Sequence, residues 1–333
     1  METVSDPKDG KKLLAVVLGL SAVIGLMLLA FVLPSVNSGA HGLKLGIAGP
    51  APATTQITAS LGENKPGAFA FDEFADEDAV RDAIRNRDVV GGIVVDANGS
   101  RMLIASAGGT PIAQTLTGVA SALSEASGTE VVVEDVVPLT KDDPAGAGLT
   151  ALALPLVFGG MMPAIVLVQL FPRSIGKRVS SATGIAVVAG FALTAILQFG
   201  THSLDGNYVL TSLALALGIS AISLTILGLE SLLGMKGFAL GAVLMMFVAN
   251  PLSGMATTGA WLPAGWGAFG QLLPPGAAGA AVRSLAFFDG HGAAKPILVL
   301  TCWIAVGITL CVVAGMKKAP SLVSEPEPAL SSR

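Results

Sequence analysis

Charged residues are scarce in this chain of 333 residues. They make up 13% of the sequence, whereas soluble proteins average about 25%. Hydrophobic residues reach 52%, and the mean hydropathy is +0.73. This composition excludes collagen-like, disordered and nucleic-acid-binding proteins, because none of these classes combines so much apolar content with so little charge. We therefore expect a protein of the lipid bilayer with no nucleic-acid partner.

Residues that usually carry catalysis or bind metals are also few. Both cysteines, Cys302 and Cys311, lie in one apolar stretch near the C-terminus, which excludes a disulfide framework. The histidines at positions 41, 202 and 291 lack metal-ligand spacing. No phosphate-binding loop ending in Gly-Lys-Ser or Gly-Lys-Thr occurs, so the sequence provides no ATPase site of its own. We predict no catalytic residue, no metal and no cofactor.

Long uncharged stretches predict six transmembrane helices. A helix needs about 20 apolar residues to cross the ~30 Å hydrocarbon core of a bilayer. The predicted spans are 13–34, 149–171, 179–201, 208–229, 237–252 and 296–316. Ser38, Gly39 and Ala40 resemble a signal-peptidase site, but the preceding apolar stretch exceeds the ~7–15 residues of a signal sequence. An uncleaved anchor is therefore favoured over a cleaved signal peptide.

Titratable residues are absent from all six predicted spans. Ion-coupled and proton-coupled carriers commonly keep such groups at membrane depth, so any transport here needs a driving force from a partner. Gln169, Gln198 and Asn250 are candidate intramembrane polar contacts, with hydrogen bonding between helices favoured over substrate contact. Glycines such as Gly160 and Gly190 allow close helix packing, either within the chain or in a dimer.

Residues 256–288 form an apolar segment that is too irregular for a simple span. The segment contains Trp261, Trp266, Pro274 and Pro275. Tryptophan prefers the headgroup level of a membrane, and irregular backbone at membrane depth must be covered by protein or water. We predict a re-entrant or interfacial segment packed against the helix bundle, with an ordinary apolar surface loop as the alternative.

Basic residues flank the predicted spans unevenly. They cluster in four places, namely residues 1–12, 172–178, 236 and 317–333. The loop at 202–207 has no lysine or arginine. Because cytoplasmic loops carry an excess of positive charge, both termini are predicted to be cytoplasmic in a plasma membrane. Residues 35–143 are then outside the cytoplasm.

The segment 35–143 has the composition of an acidic, folded domain. It holds seven Lys or Arg against fifteen Asp or Glu. Short β-rich runs predict strands at 43–47, 68–71, 91–95, 102–105 and 130–137. Asn98-Gly99 predicts a hairpin, which is favoured over a glycosylation site at the same residues.

Two helices are predicted within this domain. One opens at Asp76 in an acidic cluster, 72–78, for which a solvated helix start is favoured over a cation site. The other is predicted to be capped by Thr110 and stopped by Gly128. Helices and strands together predict a small α/β sandwich.

Two short motifs, together with the order of the parts, resemble a known family. The motifs are Val137-Pro138-Leu139 with Asp142-Asp143-Pro144 and Gly146, and Leu272-Leu273-Pro274-Pro275-Gly276 leading to Arg283 and Phe287-Phe288-Asp289-Gly290. The chain resembles type-2 ABC exporter permeases, especially the phage-infection-protein-like subset. The resemblance implies a homodimer or heterodimer paired with a cytoplasmic ATPase subunit. It also implies an ATPase-coupling loop at Arg173, Lys177 and Arg178, although membrane topology explains these charges equally well.

The sequence thus predicts a polytopic α-helical membrane protein with six transmembrane helices. It places one extracytoplasmic α/β domain, at 35–143, between helices 1 and 2. The resemblance implies a permease subunit of an ATP-driven exporter of a lipid, peptide or hydrophobic small molecule. The alternative is a non-transporting envelope protein whose exported domain acts as a receptor or interaction module. Neither hypothesis makes the chain an enzyme.

Overall fold

The computed structural model describes residues 7–97 and 99–318. Residues 1–6, Asn98 and the tail from 319 onward lie outside these ranges. In chain order the elements are α1 (Pro7–Val36), β1 (Leu43–Ala48), α2 (Ala51–Asn64), β2 (Phe69–Glu73), α3 (Glu77–Arg85), β3 (Gly91–Asp96), β4 (Gly99–Ile104), α4 (Thr110–Ser127), β5 (Val131–Asp135), α5 (Ala147–Ala151), α6 (Ala153–Leu170), α7 (Ile175–Ala195), α8 (Tyr208–Leu233), α9 (Met235–Val243), α10 (Trp266–Gly270), α11 (Pro274–Phe287) and α12 (Ala294–Lys318).

Within the described ranges, five helical stretches are long and apolar enough to cross a membrane, and the chain is accordingly a membrane-embedded protein. They are Gly10–Val36, Ala147–Leu170, Ile175–Gly200, Tyr208–Leu233 and Ala294–Lys317. The third combines α7 with a π-helical turn, Ile196–Gly200. Each of the five overlaps a predicted span.

The stretch predicted as a span at 237–252 folds as a shorter apolar helix, Met235–Ala249. It consists of α9 and a π-helical turn, Leu244–Ala249. Gly234 separates it from α8 with φ +64°, a left-handed conformation that suits glycine. Pro251 follows the helix and has no amide hydrogen to continue it. A total of six crossings therefore stays a prediction.

Helix α8 is the centre of the bundle and packs against α6, α7, α11 and α12. Glycines on its neighbours make these contacts close. A Cβ added to Gly160 would lie 2.5 Å from Cγ2 of Ile222, and one on Gly190 would lie 2.6 Å from the carbonyl oxygen of Ser212. Both glycines therefore serve packing within the chain. Gly184, by contrast, faces open space.

Helix α1 differs from the rest because none of its apolar window is buried within the chain. Its main helical contact is with the π-helical turn Leu244–Ala249. An apolar helix with such an open surface is stable when lipid surrounds it, since its backbone hydrogen bonds are satisfied internally.

The α/β domain contains a five-stranded sheet in the order β2-β1-β3-β4-β5. Strand β1 pairs in parallel with β2 and β3, and β4 pairs in parallel with β5. Strands β3 and β4 are antiparallel, with Asp96 opposite Gly99, which confirms the predicted hairpin. All five predicted β-rich runs overlap an observed strand.

Apolar side chains cover both faces of this sheet. On one face, Leu45 packs with Leu61 of α2 and Leu116 of α4. On the other face, Leu103 packs with Val80 of α3. The domain is therefore a three-layer α/β/α sandwich.

The two predicted helix starts have different outcomes. Asp76 caps α3 by accepting a hydrogen bond of 2.9 Å from the amide of Ala79, as its position in the acidic cluster predicted. The predicted capping role of Thr110 is wrong, because α4 starts at Thr110 itself and its hydroxyl donates to the carbonyl of Ala145. Gly128 ends α4 with φ +66°, as predicted.

The α/β domain and the α6–α7 loop lie at opposite ends of the bundle. Phe288, just after α11, belongs to the apolar core on the α3 face of the sheet. A Cβ on Gly148 of α5 would lie 2.4 Å from Cβ of Ser203, so the α7–α8 loop is at this domain end. At the far end, Ile175 at the start of α7 lies beside Gly315 near the end of α12.

Asp143 connects the domain to the bundle. Its carboxylate accepts hydrogen bonds of 2.7 Å from the amides of Ala147 and Gly148 at the start of α5. Burial by itself raises the pKa of Asp143, but the Gly148 and Ala147 amides and the Ser203 hydroxyl outweigh it. The pKa of this carboxyl is therefore held below its ordinary value.

Replacing Gly190 tests the close packing around α8. Gly190→Leu is expected to lower the free energy of unfolding by about 1–3 kcal/mol, because the added atoms overlap the α8 backbone. Gly184→Leu is the matched control and is expected to change it by less than about 0.5 kcal/mol. Thermal unfolding in detergent micelles measures both. Equal losses in the two variants would show that Gly190 is not tightly packed.

The cap at Asp143 predicts a specific pH dependence. A lowered folded-state pKa stabilises the fold above the unfolded-state pKa, about 3.9, and this stabilisation is lost as the pH falls through the folded-state value. Asp143→Asn should therefore destabilise the protein at pH 7 and flatten the loss of stability below about pH 4. Asp142→Asn, at an exposed neighbour, should leave the profile unchanged. An identical profile for both variants contradicts the capping role.

Candidate functional site

The segment predicted to be re-entrant is folded and packed against both parts of the molecule. It comprises a 3₁₀ turn, Gly259–Trp261, followed by α10 and α11. Trp261 packs against the core of the α/β domain, and its carbonyl accepts a hydrogen bond of 2.9 Å from the amide of Gly39. Trp266 is 41% exposed. The position of the segment relative to the bilayer stays a prediction.

Helix α11 is buried along most of its length. Pro274 and Pro275 occupy its first turn, where a missing amide hydrogen leaves no helical hydrogen bond unmade. Small residues then allow neighbouring segments to approach, and a Cβ on Gly279 would lie 2.1 Å from the sulfur of Met255. The helix thereby carries Arg283 into the interior of the protein.

A cavity of about 500 Å³ lies where α11, the segment before it and the α/β domain meet. We name it the junction cavity. Its charged and polar lining residues are Arg87, Ser253, Thr258, Gln271, Arg283 and Lys295. Three of these are cationic, and among the described residues no aspartate or glutamate lines the cavity. The other lining residues are glycines and alanines.

Arg283 is 6% exposed and has no carboxylate partner within residues 7–97 and 99–318. One of its terminal nitrogens donates a 3.1 Å hydrogen bond to the carbonyl of Met255. Its Nε is buried without a hydrogen-bond partner. An unpaired buried cation is costly in free energy, so an anion in the cavity that Arg283 lines would stabilise this side chain.

Arg87 reaches the same cavity from the α/β domain. It follows α3 with φ +66°, which is uncommon for a residue other than glycine. Its guanidinium donates to the Ser284 hydroxyl and to the carbonyl of Ala280 on α11, and lies 5.0 Å from the centre of the Phe288 ring. Burial lowers the pKa of Arg87, which nevertheless remains a cation at neutral pH.

Lys295 completes the cationic set at the start of α12, where its side chain is exposed. Positive groups that converge in a cleft with low-dielectric walls concentrate the electric field and attract anions. Guanidinium groups donate charge-assisted hydrogen bonds to carboxylate and phosphate oxygens. The arrangement of Arg87, Arg283 and Lys295 is therefore suited to an anionic ligand.

The predicted coupling loop is divided by the structure. Arg173 and Lys177 are exposed, whereas Arg178 is 4% exposed and donates to the carbonyls of Phe171 and Pro172. Arg178 also forms an ion pair of 2.6 Å with Glu230 of α8. Arg178 thus differs from Arg173 and Lys177 in exposure, and a coupling role for the three residues stays a prediction. Arg178 instead connects the α6–α7 loop to α8 through these hydrogen bonds and the ion pair.

The same ion pair places two titratable groups just outside the predicted spans, which themselves hold none. The predicted spans began after Arg178 and ended one residue before Glu230, but the helices extend further and include both residues. Both lie within a turn or so of a helix end. The ion pair gives each of these two charges an oppositely charged partner.

The three candidate polar contacts have different environments. Gln169 is exposed. Gln198 donates a 3.0 Å hydrogen bond to the carbonyl of Gly206 in the α7–α8 loop, and its Oε1 is buried without a partner. The side-chain oxygen of Asn250 is likewise buried without a partner. A role for these three residues in hydrogen bonds between membrane helices stays a prediction.

Sequence reasoning missed the junction cavity. Arg87 counted only as a charge of the α/β domain, and Lys295 only as a charge before the last predicted span. Arg283 counted only as part of a motif. One available signal was that Arg283 is the first charge after an uncharged run of 46 residues, 237–282. Its convergence with Arg87, almost two hundred positions away, depends on the tertiary structure.

Metal binding has no structural counterpart in the described residues, since no group of three or more His, Cys, Asp or Glu could hold an ion there. Comparison with protein-family models, with curated proteins and with solved structures found no match to the chain. The likeness to type-2 exporter permeases therefore remains a resemblance in topology and short motifs.

Breaking the Arg178–Glu230 ion pair tests whether it holds the start of α7 against α8. Arg178→Met leaves a buried carboxylate without a partner and is expected to cost about 3–5 kcal/mol of stability. The double variant Arg178→Met/Glu230→Met removes both charges and is expected to recover most of that loss. Thermal unfolding in detergent reports both. A double variant as unstable as the single one would show that the ion pair does not account for the stability at this position.

Proposed function

We propose that the chain is the permease subunit of an ATP-driven exporter, powered by a separate cytoplasmic ATPase. Its cargo is a lipid, a peptide or a hydrophobic small molecule. The protein crosses the plasma membrane six times, with both termini in the cytoplasm and the α/β domain outside, and works as a homodimer or heterodimer.

One observation carries this proposal: the α/β domain and the exposed basic α6–α7 loop lie at opposite ends of the bundle. Lys236 at the start of α9 and Lys317 near the end of α12 are at the loop end as well, because α8 and α12 both finish there. Cytoplasmic surfaces of membrane proteins are enriched in such residues. The arrangement supports a cytoplasmic docking surface at one end and an outside domain at the other.

The loop itself has properties that suit a coupling element. Arg178 anchors it to α8 through Glu230, so that Arg173 and Lys177 are presented from a fixed base. Force applied to the loop is then transmitted directly to the central helix, which contacts most of the bundle. Exposed cations on this base suit an acidic groove on an ATPase.

A second candidate function is favoured by the outer edge of the sheet. Strand β5 is an edge strand, and its Val132 and Val133 are 52% and 37% exposed. Exposed apolar edge strands are sites at which another chain can add. This feature suits a non-transporting envelope protein whose domain acts as a receptor or interaction module.

The loop provides a test that separates the two functions. Arg173→Gln/Lys177→Gln is expected to abolish ATP hydrolysis in the material that co-purifies with an affinity-tagged chain, because it removes the exposed charges. Arg178 is left intact so that the loop keeps its anchor. The matched control is Lys65→Gln/Lys141→Gln, which neutralises two exposed charges on the α/β domain. Equal hydrolysis with both double variants would exclude the loop from coupling and favour the receptor.

A further inference from the structure

A second, largely apolar groove borders the junction cavity. This groove, of about 300 Å³, is lined by Phe31 and Pro34 of α1 and by Trp261 and Leu262. Ser253 and Gly254 line both the groove and the junction cavity, so the two spaces lie next to each other. A charged space is therefore adjacent to a largely apolar one.

The groove lies beside the helix with the most open surface. Its lining includes the C-terminal end of α1, the helix whose apolar window has no buried residue. Its lining also includes Thr150 and Ala153, at the start of the helical stretch that begins at Ala147. Both parts of the lining belong to the domain end of the bundle, where a lipid headgroup region meets the α/β domain in the proposed topology.

The charges in the junction cavity favour a phosphate group over a carboxylate. A carboxylate carries one negative charge, whereas a phosphate monoester carries about −1.5 to −2 at pH 7 and offers three strong acceptor oxygens. Arg87, Arg283 and Lys295 supply three separate cationic groups, and none of the described lining residues is an acid that would compete for them. Arg283 is buried without a carboxylate partner among the described residues, so its charge is not already neutralised there.

We propose that the junction binds a lipid with a phosphate monoester headgroup. The phosphate occupies the junction cavity, and the hydrocarbon chain lies in the groove between α1 and Trp261. This inference deepens the proposed function by naming a substrate class, and it rests on that function only for the role of the lipid as cargo. Binding itself requires no ATPase.

Trp261 provides a direct reporter because it lines the groove. Phosphatidic acid with dibrominated acyl chains is added to the full chain in detergent micelles, since bromine quenches a tryptophan that it contacts. Saturable quenching is expected, and Trp261→Phe is expected to remove most of it. Quenching that persists unchanged in Trp261→Phe would overturn the proposed position of the lipid chain.

The headgroup site is tested by charge reversal at its exposed rim. Lys295→Glu is expected to weaken the apparent affinity by about tenfold or more, because it places a negative charge beside the phosphate. Lys141→Glu makes the same change at an exposed position outside the cavity and is expected to have no effect. Equal affinities for the two variants would overturn the site. Arg283→Gln is a second variant, expected to abolish saturable quenching.

Two further ligands distinguish the possible sources of the phosphate. Dibrominated phosphatidylcholine, which is zwitterionic, is expected to quench Trp261 far less, and equal quenching would overturn headgroup recognition. Inorganic phosphate is expected to compete with the brominated phosphatidic acid only weakly. Tight binding of inorganic phosphate without quenching by the lipid would overturn the lipid and assign a soluble phosphate ligand.

The outcomes for the lipid and for the exporter are separable. If ATP hydrolysis does not depend on the loop while Lys295-dependent quenching is intact, the permease proposal is overturned and the lipid site is kept. Loop-dependent hydrolysis without quenching would overturn the lipid site and keep the permease.

Discussion

The contact between the α/β domain and α11 is the constraint on which the rest of the structure depends. Phe288 completes a core inside the domain, while Arg87 reaches in the opposite direction to bind the Ser284 hydroxyl and the carbonyl of Ala280. The helix α11 region therefore contributes a side chain to the domain core, and the domain contributes hydrogen bonds to α11. Because α11 also packs on the central helix α8, the domain is joined to the middle of the bundle and not only to its surface.

This contact brings two arginines together without a carboxylate between them. Natural proteins usually pair buried charges, since an isolated one is costly to desolvate. Arg87 and Arg283 have no carboxylate partner in the part of the chain that the structure describes, and with Lys295 at the rim they suit a site that an anionic ligand completes. The adjoining groove beside α1 gives that site an apolar extension. A lipid with a phosphate headgroup would occupy both the cationic cavity and the apolar groove. A ligand that is only an anion, or only apolar, would leave one of the two spaces without a role.

At the opposite end of the bundle, basic residues that indicate membrane topology also have structural roles. A cluster of basic residues at 172–178 predicts a cytoplasmic loop and says little about its members. In the fold, Arg178 is buried against Glu230, while Arg173 and Lys177 remain exposed. The sequence did not separate them, because consecutive residues in a helix turn point in different directions and only the neighbouring helix decides which one is covered. Thr110, a plausible cap by type, is instead the first residue of α4, and its hydroxyl donates to the carbonyl of Ala145.

Local patterns by themselves determined the membrane class, the five long apolar helices, the strands of the α/β domain and the hairpin between β3 and β4. These features follow from hydrophobic length and periodicity, which act over a few neighbouring residues. The tertiary structure alone decided that Arg178 pairs with Glu230 and that Arg87 meets α11. Those outcomes depend on packing between segments far apart in the chain, where the free energy of a contact is set by the partner that arrives and not by the residue itself.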